Sequence, residues 1–428
     1  MEAKEREIAS SRCLNLDLPP SCIEFCPAHP DHFIIGTYNL QKEEPETVSH
    51  DDISDNEDSH ETVKKSQSRN GSLVVFRLSE KADDISHVQT LSYPSALLDL
   101  HFNPHQDKNE VLATVSSTGM LSFFRLSPRQ LLSAPLVKIA SHRPLGDEEG
   151  VLFLSCAWHP SLAHLLAIST SDYQVHILRI DDSWGAHQTS PSPIITHTLE
   201  AWTVAFSPFL GNSQDFTDGT MSEGSREIAI YSGGDDSKLL STTFFYNGHQ
   251  GNSAEGDEDI ITVPHPIVTT KGHTAGVTAI LPLPLTLLDG SGIVVTGSYD
   301  DCLRIYSIHP QVGGVMVQPP KLLAEKNLGG GVWRLKLVRL EKLSKEDATS
   351  QINWSALILV SCMHAGSRVL EISGDYSGFC QISILGRFQE HKSMNYGSDF
   401  QPGTEFGGQL LRCVSTSFYD RLLCLWVF

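Results

Sequence analysis

The chain has 428 residues, of which 40% are hydrophobic and 19% are charged, a composition typical of a globular protein. Its formal net charge is −20, with 31 Lys and Arg against 51 Asp and Glu, which argues against nucleic-acid binding because that needs a basic surface. No apolar stretch reaches the roughly 18 residues of a membrane span, and residues 1–12 lack the apolar segment of a secretory signal.

Cysteines and acidic residues are unevenly distributed. Most of the nine cysteines stand in apolar runs such as Cys22 to Cys26, where a thiol packs as a small hydrophobe, so we expect reduced cysteines in a cytoplasmic protein. Carboxylates are concentrated between Glu43 and Glu61, in a segment with few apolar residues. This pattern predicts an acidic disordered insertion over residues 41–70.

Seven short apolar runs predict the first strands of seven structural units. Several of them end at a proline, which stops a strand because it lacks the N–H donor. In chain order the runs are Cys22 to Cys26, Leu97 to Phe102, Leu152 to Trp158, Trp202 to Phe206, Val277 to Leu281, Val332 to Leu337 and Tyr396 to Phe400.

A second pattern recurs inside these units: an apolar run, small residues, a polar turn and another apolar run. The turn positions are Asn70, Thr118, Asp172, Asp236, Asp300, His364 and Asp420, and the four from Asp172 to His364 are equally spaced. Seven such turns predict seven four-stranded units of about 40 to 45 residues before insertions. The predicted fold is therefore all-β, a seven-bladed β-propeller of the WD-repeat class.

The predicted propeller is a single domain over residues 13–428, preceded by a flexible N-terminus over 1–12. The last blade lacks a fourth strand at its C-terminal end. The run Cys13 to Leu18 is predicted to supply this strand, which closes the ring and removes two sheet edges.

Some polar residues serve the scaffold in this prediction. The pair Gly272-His273 and Asp300 match the WD-repeat pattern, in which a His, a Ser or Thr, an Asp and a Trp tie the turn to the blade. The recurring aspartates and His273 are therefore interpreted as structural.

Other residues near the same turns are not needed by the scaffold. Each directly precedes a turn aspartate, replaces one, or lies in a connection that reaches the same face. These candidates for a site at the channel mouth are Glu200, Trp202, Asp235, Tyr299, Trp333, Arg334, His364 and Tyr419. Aromatic rings with carboxylates suit a quaternary ammonium ion, each contact contributing about 0.5 to 2 kcal/mol. The alternative is that the tryptophans pack in the core and Glu200 is a solvated charge.

For hydrolytic chemistry, His364 is the candidate general base because the pKa of imidazole lies nearest neutrality, and Asp235 is the candidate residue that orients it. Glycines 329–331 could offer N–H groups to an oxyanion or could only permit a tight turn. An activated water and a covalent Ser or Cys nucleophile both remain open. The dispersed histidines lack metal-ligand spacing, so we expect neither a metal nor another cofactor.

The same residues carry a resemblance to the eukaryotic diphthine methyl ester hydrolases, which are WD-repeat enzymes of diphthamide synthesis. The most specific segments are Gly330-GVWRLK-Leu337, Cys362-MHAG-Ser367 and Ser417-FYD-Arg421, and matching segments cover nearly the whole chain. Thr242 and Tyr306 depart from the repeat, since Trp is common at these positions.

This resemblance implies hydrolysis of a methyl ester on the modified histidine of translation elongation factor 2, with release of methanol. The family's substrate carries a trimethylammonium group beside the ester, which agrees with an aromatic and acidic face. The implied partner is the elongation factor, with no direct nucleic-acid or membrane partner, and we expect a monomer. The alternative from another class is a non-catalytic propeller scaffold that holds protein partners together.

Overall fold

The computed structural model describes residues 5–40, 69–79, 84–146, 150–212, 226–246, 261–262, 266–312, 315–316, 318–342, 352–404 and 410–428. All regular elements in these ranges are β-strands. Most of the predicted acidic insertion, residues 41–68, lies outside the described residues, while Arg69 and Asn70 begin a strand. No helix in the described ranges is long and apolar enough to cross a membrane.

The first part of the chain forms three blades. Two short strands come before them, β1 (Arg6–Ile8) and β2 (Ser10–Asn15). Blade one contains β3 (Pro20–Cys26), β4 (His29–Thr37), β5 (Asn39–Leu40), β6 (Arg69–Leu78) and β7 (Ile85–Tyr93). Blade two contains β8 (Leu97–Phe102), β9 (Val111–Ser116), β10 (Leu121–Leu126) and β11 (Leu136–His142). Blade three contains β12 (Phe153–Trp158), β13 (Leu165–Thr170), β14 (Gln174–Ile180), β15 (Ala186–Gln188) and β16 (Ile195–Thr196).

Four further blades follow. Blade four contains β17 (Ala201–Asn212), β18 (Arg226–Gly234), β19 (Leu239–Tyr246), β20 (Ile261–Thr262) and β21 (Val268–Thr270). Blade five contains β22 (Val277–Thr286), β23 (Gly292–Ser298), β24 (Cys302–Ile308) and, after the hairpin of β25 (Gln311–Val312) and β26 (Val315–Met316), β27 (Lys321–Asn327). Blade six contains β28 (Arg334–Lys342), β29 (Trp354–Ser361), β30 (Ser367–Gly374) and β31 (Cys380–Phe388). Blade seven contains β32 (Gly397–Phe400), β33 (Arg412–Ser417) and β34 (Leu422–Val427).

The first strand of each blade lies at the centre of the disc. Each of these strands contacts the first strands of the two neighbouring blades, and β32 contacts β3, so that the ring is closed. The second strands, such as β9 and β13, are buried along their whole length because every sheet packs between two others. Such strands have continuous apolar runs instead of alternation. The predicted seven-bladed propeller is confirmed.

The N-terminal strands complete the last two blades. β2 pairs antiparallel with β34, and β1 pairs parallel with β31 of blade six. Among the described residues, regular structure therefore begins at Arg6, which differs from the flexibility predicted for this part of residues 1–12. The physical reason is burial, because Ile8 is only 5% exposed and packs in the cluster around Phe388 and Trp426.

One pair of cysteines differs from the expectation of reduced thiols. Cys13 and Cys424 are partners in the β2–β34 register and form a disulfide, with their Cα atoms 4.3 Å apart. Directly opposite residues of antiparallel strands approach this closely at non-hydrogen-bonded positions. The other seven cysteines are free.

The structural reading of the turn aspartates agrees with their contacts. His197 bonds both Asp236 and Ser232 at 3.0 Å in blade four. In blade five, Asp300 accepts from the backbone N–H of Thr274 at 2.9 Å. In blade seven, Asp420 accepts from the backbone N–H of Lys392 at 3.1 Å. These bonds tie each turn to the connection that precedes the blade.

Candidate functional site

A repeated backbone hydrogen bond shows which residues share one end of the channel. In six blades, the N–H that follows the second strand donates to a carbonyl just before the first strand, at 2.8 to 2.9 Å. The donor–acceptor pairs are Tyr38–Pro19, Ser117–Ala96, Ser171–Leu152, Asp235–Glu200, Tyr299–Gly276 and Phe418–Met394. Asp235 and Tyr299 therefore occupy equivalent positions in neighbouring blades.

Blade seven departs from the register that the sequence suggested. Its turn holds one residue more than the turns of blades four and five. Six residues lie between the paired Thr416 and Leu423, whereas five lie between the equivalent pair Gly297 and Leu303 in blade five. Phe418 consequently takes the position equivalent to Tyr299. Tyr419, the residue predicted there, is 70% exposed and contacts the Phe418 ring at 5.0 Å.

Aromatic side chains from several blades meet at this mouth. Trp202 is brought there by a β-bulge, since the β17 register shifts between Ala201 and Thr203, and a bulge re-aims the side chain of its extra residue. The ring centroids of Trp202 lie 6.1 Å from Tyr299 and 5.8 Å from Trp333.

We call Trp202, Tyr299, Trp333 and Tyr396 the aromatic cluster. The ring of Trp333 is central in it, 5.9 Å from Tyr299 and 5.0 Å from Tyr396. Phe418 extends the cluster at 5.4 Å from Tyr396, and Tyr38 follows at 6.1 Å from Phe418. The rings thus form an arc from blade four through blade seven to blade one.

Asp235 supplies a carboxylate to this arc. Its Oδ1 accepts a hydrogen bond of 3.0 Å from the indole N–H of Trp202. Gly276 packs against it so closely that a Cβ there would lie 2.7 Å from the same oxygen. Burial raises the pKa of Tyr299 above its ordinary value, and the nearby Tyr396 and Asp235 raise it further, so the phenol is neutral.

Arg334 links the aromatic cluster to the interior of the channel. Its guanidinium carbon lies 5.5 Å from the centroid of the Trp333 ring, and its Nη2 lies 3.0 Å from Oδ1 of Asp99. Arg334 stands on β28 and Asp99 on β8, which are the first strands of blades six and two. Burial alone would raise the pKa of Asp99, but Arg334 and His101 hold it well below its usual range.

A second group of charges lies on the first strands of blades one, two, six and seven. Nζ of Lys336 is 3.2 Å from Glu24 and 3.7 Å from Asp399, and His101 Nδ1 is 2.8 Å from Glu24. Burial would lower the pKa of His101, but Asp99 and Glu24 raise it to about 9. The six residues Glu24, Asp99, His101, Arg334, Lys336 and Asp399 form what we call the channel network.

The remaining predicted residues lie near this face without forming a bonded catalytic group. His364 is exposed in the turn between β29 and β30. In the part of the chain that the structure describes, no hydrogen bond joins it to Asp235, whose Oδ1 is bonded to Trp202. Glu200 is half-buried, and its backbone carbonyl accepts from the Asp235 N–H.

The glycine run before Trp333 has a packing explanation. A Cβ at Gly330 would lie 2.5 Å from the carbonyl oxygen of Cys362, and one at Gly331 would lie 2.7 Å from the sulfur of Met363. Gly329 has a φ of 84°, and its N–H donates to Asn327. The turn therefore requires these glycines whether or not an oxyanion binds there.

Sequence reasoning missed Tyr38, Tyr396 and Phe418 as members of this site. Tyr396 is the first residue of a predicted strand, and Trp333 is likewise at the start of one; in the structure each residue directly precedes the first strand of its blade, and this analogy was the available signal. The channel network also offered a signal that the sequence reasoning did not use. Glu24, His101, Lys336 and Asp399 occupy equivalent positions in the first strands of their blades, and Asp99 and Arg334 share the position two residues earlier.

One group of potential metal ligands occurs among the described residues, away from the mouth. Cys13, Cys424 and Glu390 have ligand atoms within 4.8 Å of one another. The two cysteines form the disulfide, and Glu390 accepts from the backbone N–H of Ser10 at 3.0 Å. These groups are already engaged with protein partners.

The chain is similar over nearly its whole length to several curated proteins. It is 28% identical to diphthine methyltransferase of Schizosaccharomyces pombe over 411 residues, covering 96% of this chain and 95% of the relative. It is 24% identical to the diphthine methyltransferase homolog of Dictyostelium discoideum, covering 96% and 97%. No protein-family model matches the chain. This similarity supports a relationship to the diphthine methyltransferase family.

Among solved structures, the chain resembles Sqt1 of Chaetomium thermophilum, a protein solved in complex with the N-terminus of the ribosomal protein L10. The TM-score is 0.53 at 12% sequence identity, with all of both chains covered. At this identity the likeness shows the fold alone, a WD-repeat propeller.

Proposed function

We propose that the channel mouth binds the modified histidine side chain of translation elongation factor 2 and hydrolyses its methyl ester, giving diphthine and methanol. The similarity to proteins named diphthine methyltransferase supports a role in diphthamide biosynthesis. The observation that carries the more specific proposal is the aromatic cluster with Asp235 at its edge.

The aromatic cluster suits the trimethylammonium group of this substrate. A quaternary ammonium ion has no N–H to donate, so it is recognised by aromatic faces and by charge. Trp202, Tyr299 and Trp333 have mutual centroid distances of 5.8 to 6.1 Å, and Asp235 is fixed against them by Trp202. The set offers the ring faces and the negative charge that this cation requires.

For the chemical step we propose that His364 acts as a general base on a water molecule. The water oxygen attacks the ester carbonyl carbon while its proton passes to the imidazole. The tetrahedral intermediate then expels methoxide, which takes the proton from the imidazolium and leaves as methanol. The carboxylic acid that remains releases the second proton of the water to the solvent and becomes a carboxylate. His364 is exposed, so it is open to a protein substrate. Asp235 contributes a fixed negative charge to the site.

The decisive experiment uses purified protein and elongation factor 2 that carries the methyl ester. Loss of the methyl group by mass spectrometry, matched by methanol in the solution, is the expected result. The names of the relatives suggest methyl transfer instead, which would show as a gain of methyl that depends on an added methyl donor. If the elongation factor binds but its methyl ester persists, the scaffold interpretation replaces ours.

We also propose that the protein works in the cytoplasm as a monomer. The seven free cysteines, six of them buried, are compatible with a reducing compartment. Light scattering of the purified chain would show a single subunit mass if this is right, and a dimer mass if it is wrong.

A further inference from the structure

The ion pair between Arg334 and Asp99 crosses the central channel. The two residues stand on the first strands of blades six and two, and three steps around the ring separate these blades. First strands of such blades are not neighbours, so this 3.0 Å contact joins opposite walls. The guanidinium group is therefore held across the channel, beside the aromatic cluster.

Asp99 is firmly anchored for this purpose. Its Oδ2 accepts from the hydroxyl of Ser155 at 2.8 Å and from the backbone N–H of Cys156 at 3.2 Å, and His101 Nε2 lies 3.3 Å away. The side chain is 2% exposed. With Oδ2 engaged in this way, Asp99 offers Arg334 a single oxygen, and the contact is end-on instead of bidentate.

An end-on contact leaves donors of Arg334 for another ligand. A guanidinium group carries five N–H donors in a planar fork that matches the two oxygens of a carboxyl group. In the described ranges, Asp99 is the one residue hydrogen-bonded to the guanidinium group of Arg334, through Nη2. The side chain is 17% exposed, so part of it remains accessible.

We infer that Arg334 binds the carboxyl oxygens that stand beside the quaternary ammonium ion, so that the mouth recognises these two groups as a pair. This inference rests on the proposed function and adds the residue that sets its specificity. The ring of Trp333 contacts the guanidinium on one side and belongs to the aromatic cluster on the other. A cation in the cluster therefore lies close to a fixed positive charge.

That arrangement selects against simple cations. A quaternary ammonium ion without oxygens is repelled by Arg334, whereas a betaine or its ester compensates with hydrogen bonds to the guanidinium. During hydrolysis the carbonyl oxygen becomes an oxyanion, and a fixed guanidinium at this place stabilises it more than the neutral ester. Arg334 touches the substrate in this account, and Asp99 acts as its positioning residue.

The test measures binding of small ligands to the full chain by the fluorescence of its tryptophans. The probes are trimethylglycine, its methyl ester and tetramethylammonium. The wild-type protein should bind trimethylglycine about tenfold more tightly than tetramethylammonium, the ratio expected for one charge-assisted hydrogen-bonded contact. Arg334→Gln should abolish this preference, and Arg334→Lys should restore only part of it because a lysine lacks the fork.

A matched control is Arg125→Lys, at a half-exposed arginine of blade two that pairs with Glu110. This variant should bind all three probes as the wild type does. Equal binding of trimethylglycine by wild type and Arg334→Gln would overturn the inference, as would a wild type that binds no probe. A third outcome separates the two proposals. If Arg334→Gln loses the preference but the wild-type protein does not hydrolyse the ester, the proposed function is refuted while the recognition site stands.

Asp99→Asn tests the positioning step. It removes the charge that holds Arg334 while leaving the aromatic cluster intact. We expect the roughly tenfold preference for trimethylglycine over tetramethylammonium to be lost, and kcat on the esterified elongation factor to fall more than KM rises. Unchanged preference in folded Asp99→Asn protein would contradict the positioning role. If this variant does not fold, the Arg334 pair of variants still decides the inference.

Discussion

The indole N–H of Trp202 donates a hydrogen bond of 3.0 Å to Oδ1 of Asp235. The tryptophan stands in the bulge of β17, and the aspartate stands in the turn after β18, so the bond joins these two parts of blade four at the mouth. This bond fixes a negative charge beside three aromatic rings. It predicts that a ring without an N–H donor is not sufficient at position 202.

Trp202→Phe tests that bond. The substitution keeps an aromatic ring but leaves Asp235 without its donor, and a hydrogen bond to a charged group contributes about 1.5 to 3 kcal/mol. KM for the esterified elongation factor should rise roughly tenfold or more. Trp184→Phe in blade three is the control, because Trp184 packs outside the aromatic cluster. Equal KM values for the two variants would show that the bond is dispensable.

Trp333→Ala should weaken recognition of the cation itself. The variant removes the central ring of the cluster, and a desolvated cation–π contact contributes about 2 kcal/mol. The informative comparison uses a substrate in which a neutral tert-butyl group replaces trimethylammonium. Wild type should prefer the charged substrate, and Trp333→Ala should lose most of that preference in kcat/KM. If the variant retains the full preference, the rings do not bind the cation.

His364→Ala separates chemistry from folding. The side chain is exposed and has no hydrogen-bond partner among the described residues, so the free energy of unfolding should change by less than about 0.5 kcal/mol. We expect kcat to fall about 100-fold or more, the usual contribution of a general base, with binding of the diphthine product unchanged. His187→Ala, at an exposed histidine of blade three, is the control. Wild-type turnover in His364→Ala would show that another group acts as the general base.

The cross-channel ion pair has a distinct signature in stability. Breaking a buried pair from one side typically costs about 3 to 5 kcal/mol because the other charge is left uncompensated. Asp99→Leu should therefore lower the midpoint of urea unfolding strongly. The double variant with Arg334→Met should recover most of the loss while remaining inactive, since it removes both charges. A double variant as unstable as the single one would show that the pair is not the cause.

The protein should lose stability as the medium becomes alkaline. Asp99 and Glu24 raise the pKa of His101 from 6.5 to about 9 in the folded state. The folded protein thus binds a proton that the unfolded chain releases between these values, so this contribution is complete below pH 6.5 and is lost as pH rises through about 9. His101→Gln should show a flatter decline in melting temperature over that window. If the melting temperatures of the wild type and His101→Gln fall in parallel over that window, other titrating groups cause the loss of stability.

Sequence patterns were sufficient for the scaffold because the scaffold repeats. The run Leu97 to Phe102 was predicted with its observed limits, and the turn aspartates Asp236 and Asp300 make the bonds expected of structural residues. Each of these positions recurs from blade to blade, so one blade informs the next. The pairing of the two ends of the chain followed from counting strands.

Part of the site was less accessible to such reasoning because the turn of blade seven breaks the repeat. Phe418 takes the place predicted for Tyr419 because one extra residue lengthens a single turn, which the spacing of aspartates does not reveal. The partner of Arg334 was beyond prediction, since Asp99 is 235 residues away and lies on the opposite wall of the channel. Contacts across the channel depend on the curvature of the closed ring, and no local pattern encodes it.

The pairing of β2 with β34 sets an order of events during synthesis. Among the described strands, β2 is one of the first to be synthesised and β34 is the last, so the ring cannot close until β34 has been made. Until then the growing chain presents bare strand edges that invite association with other polypeptides. The finished disc has no such edge at this junction, because β2 and β34 are paired with each other and joined by the Cys13–Cys424 disulfide.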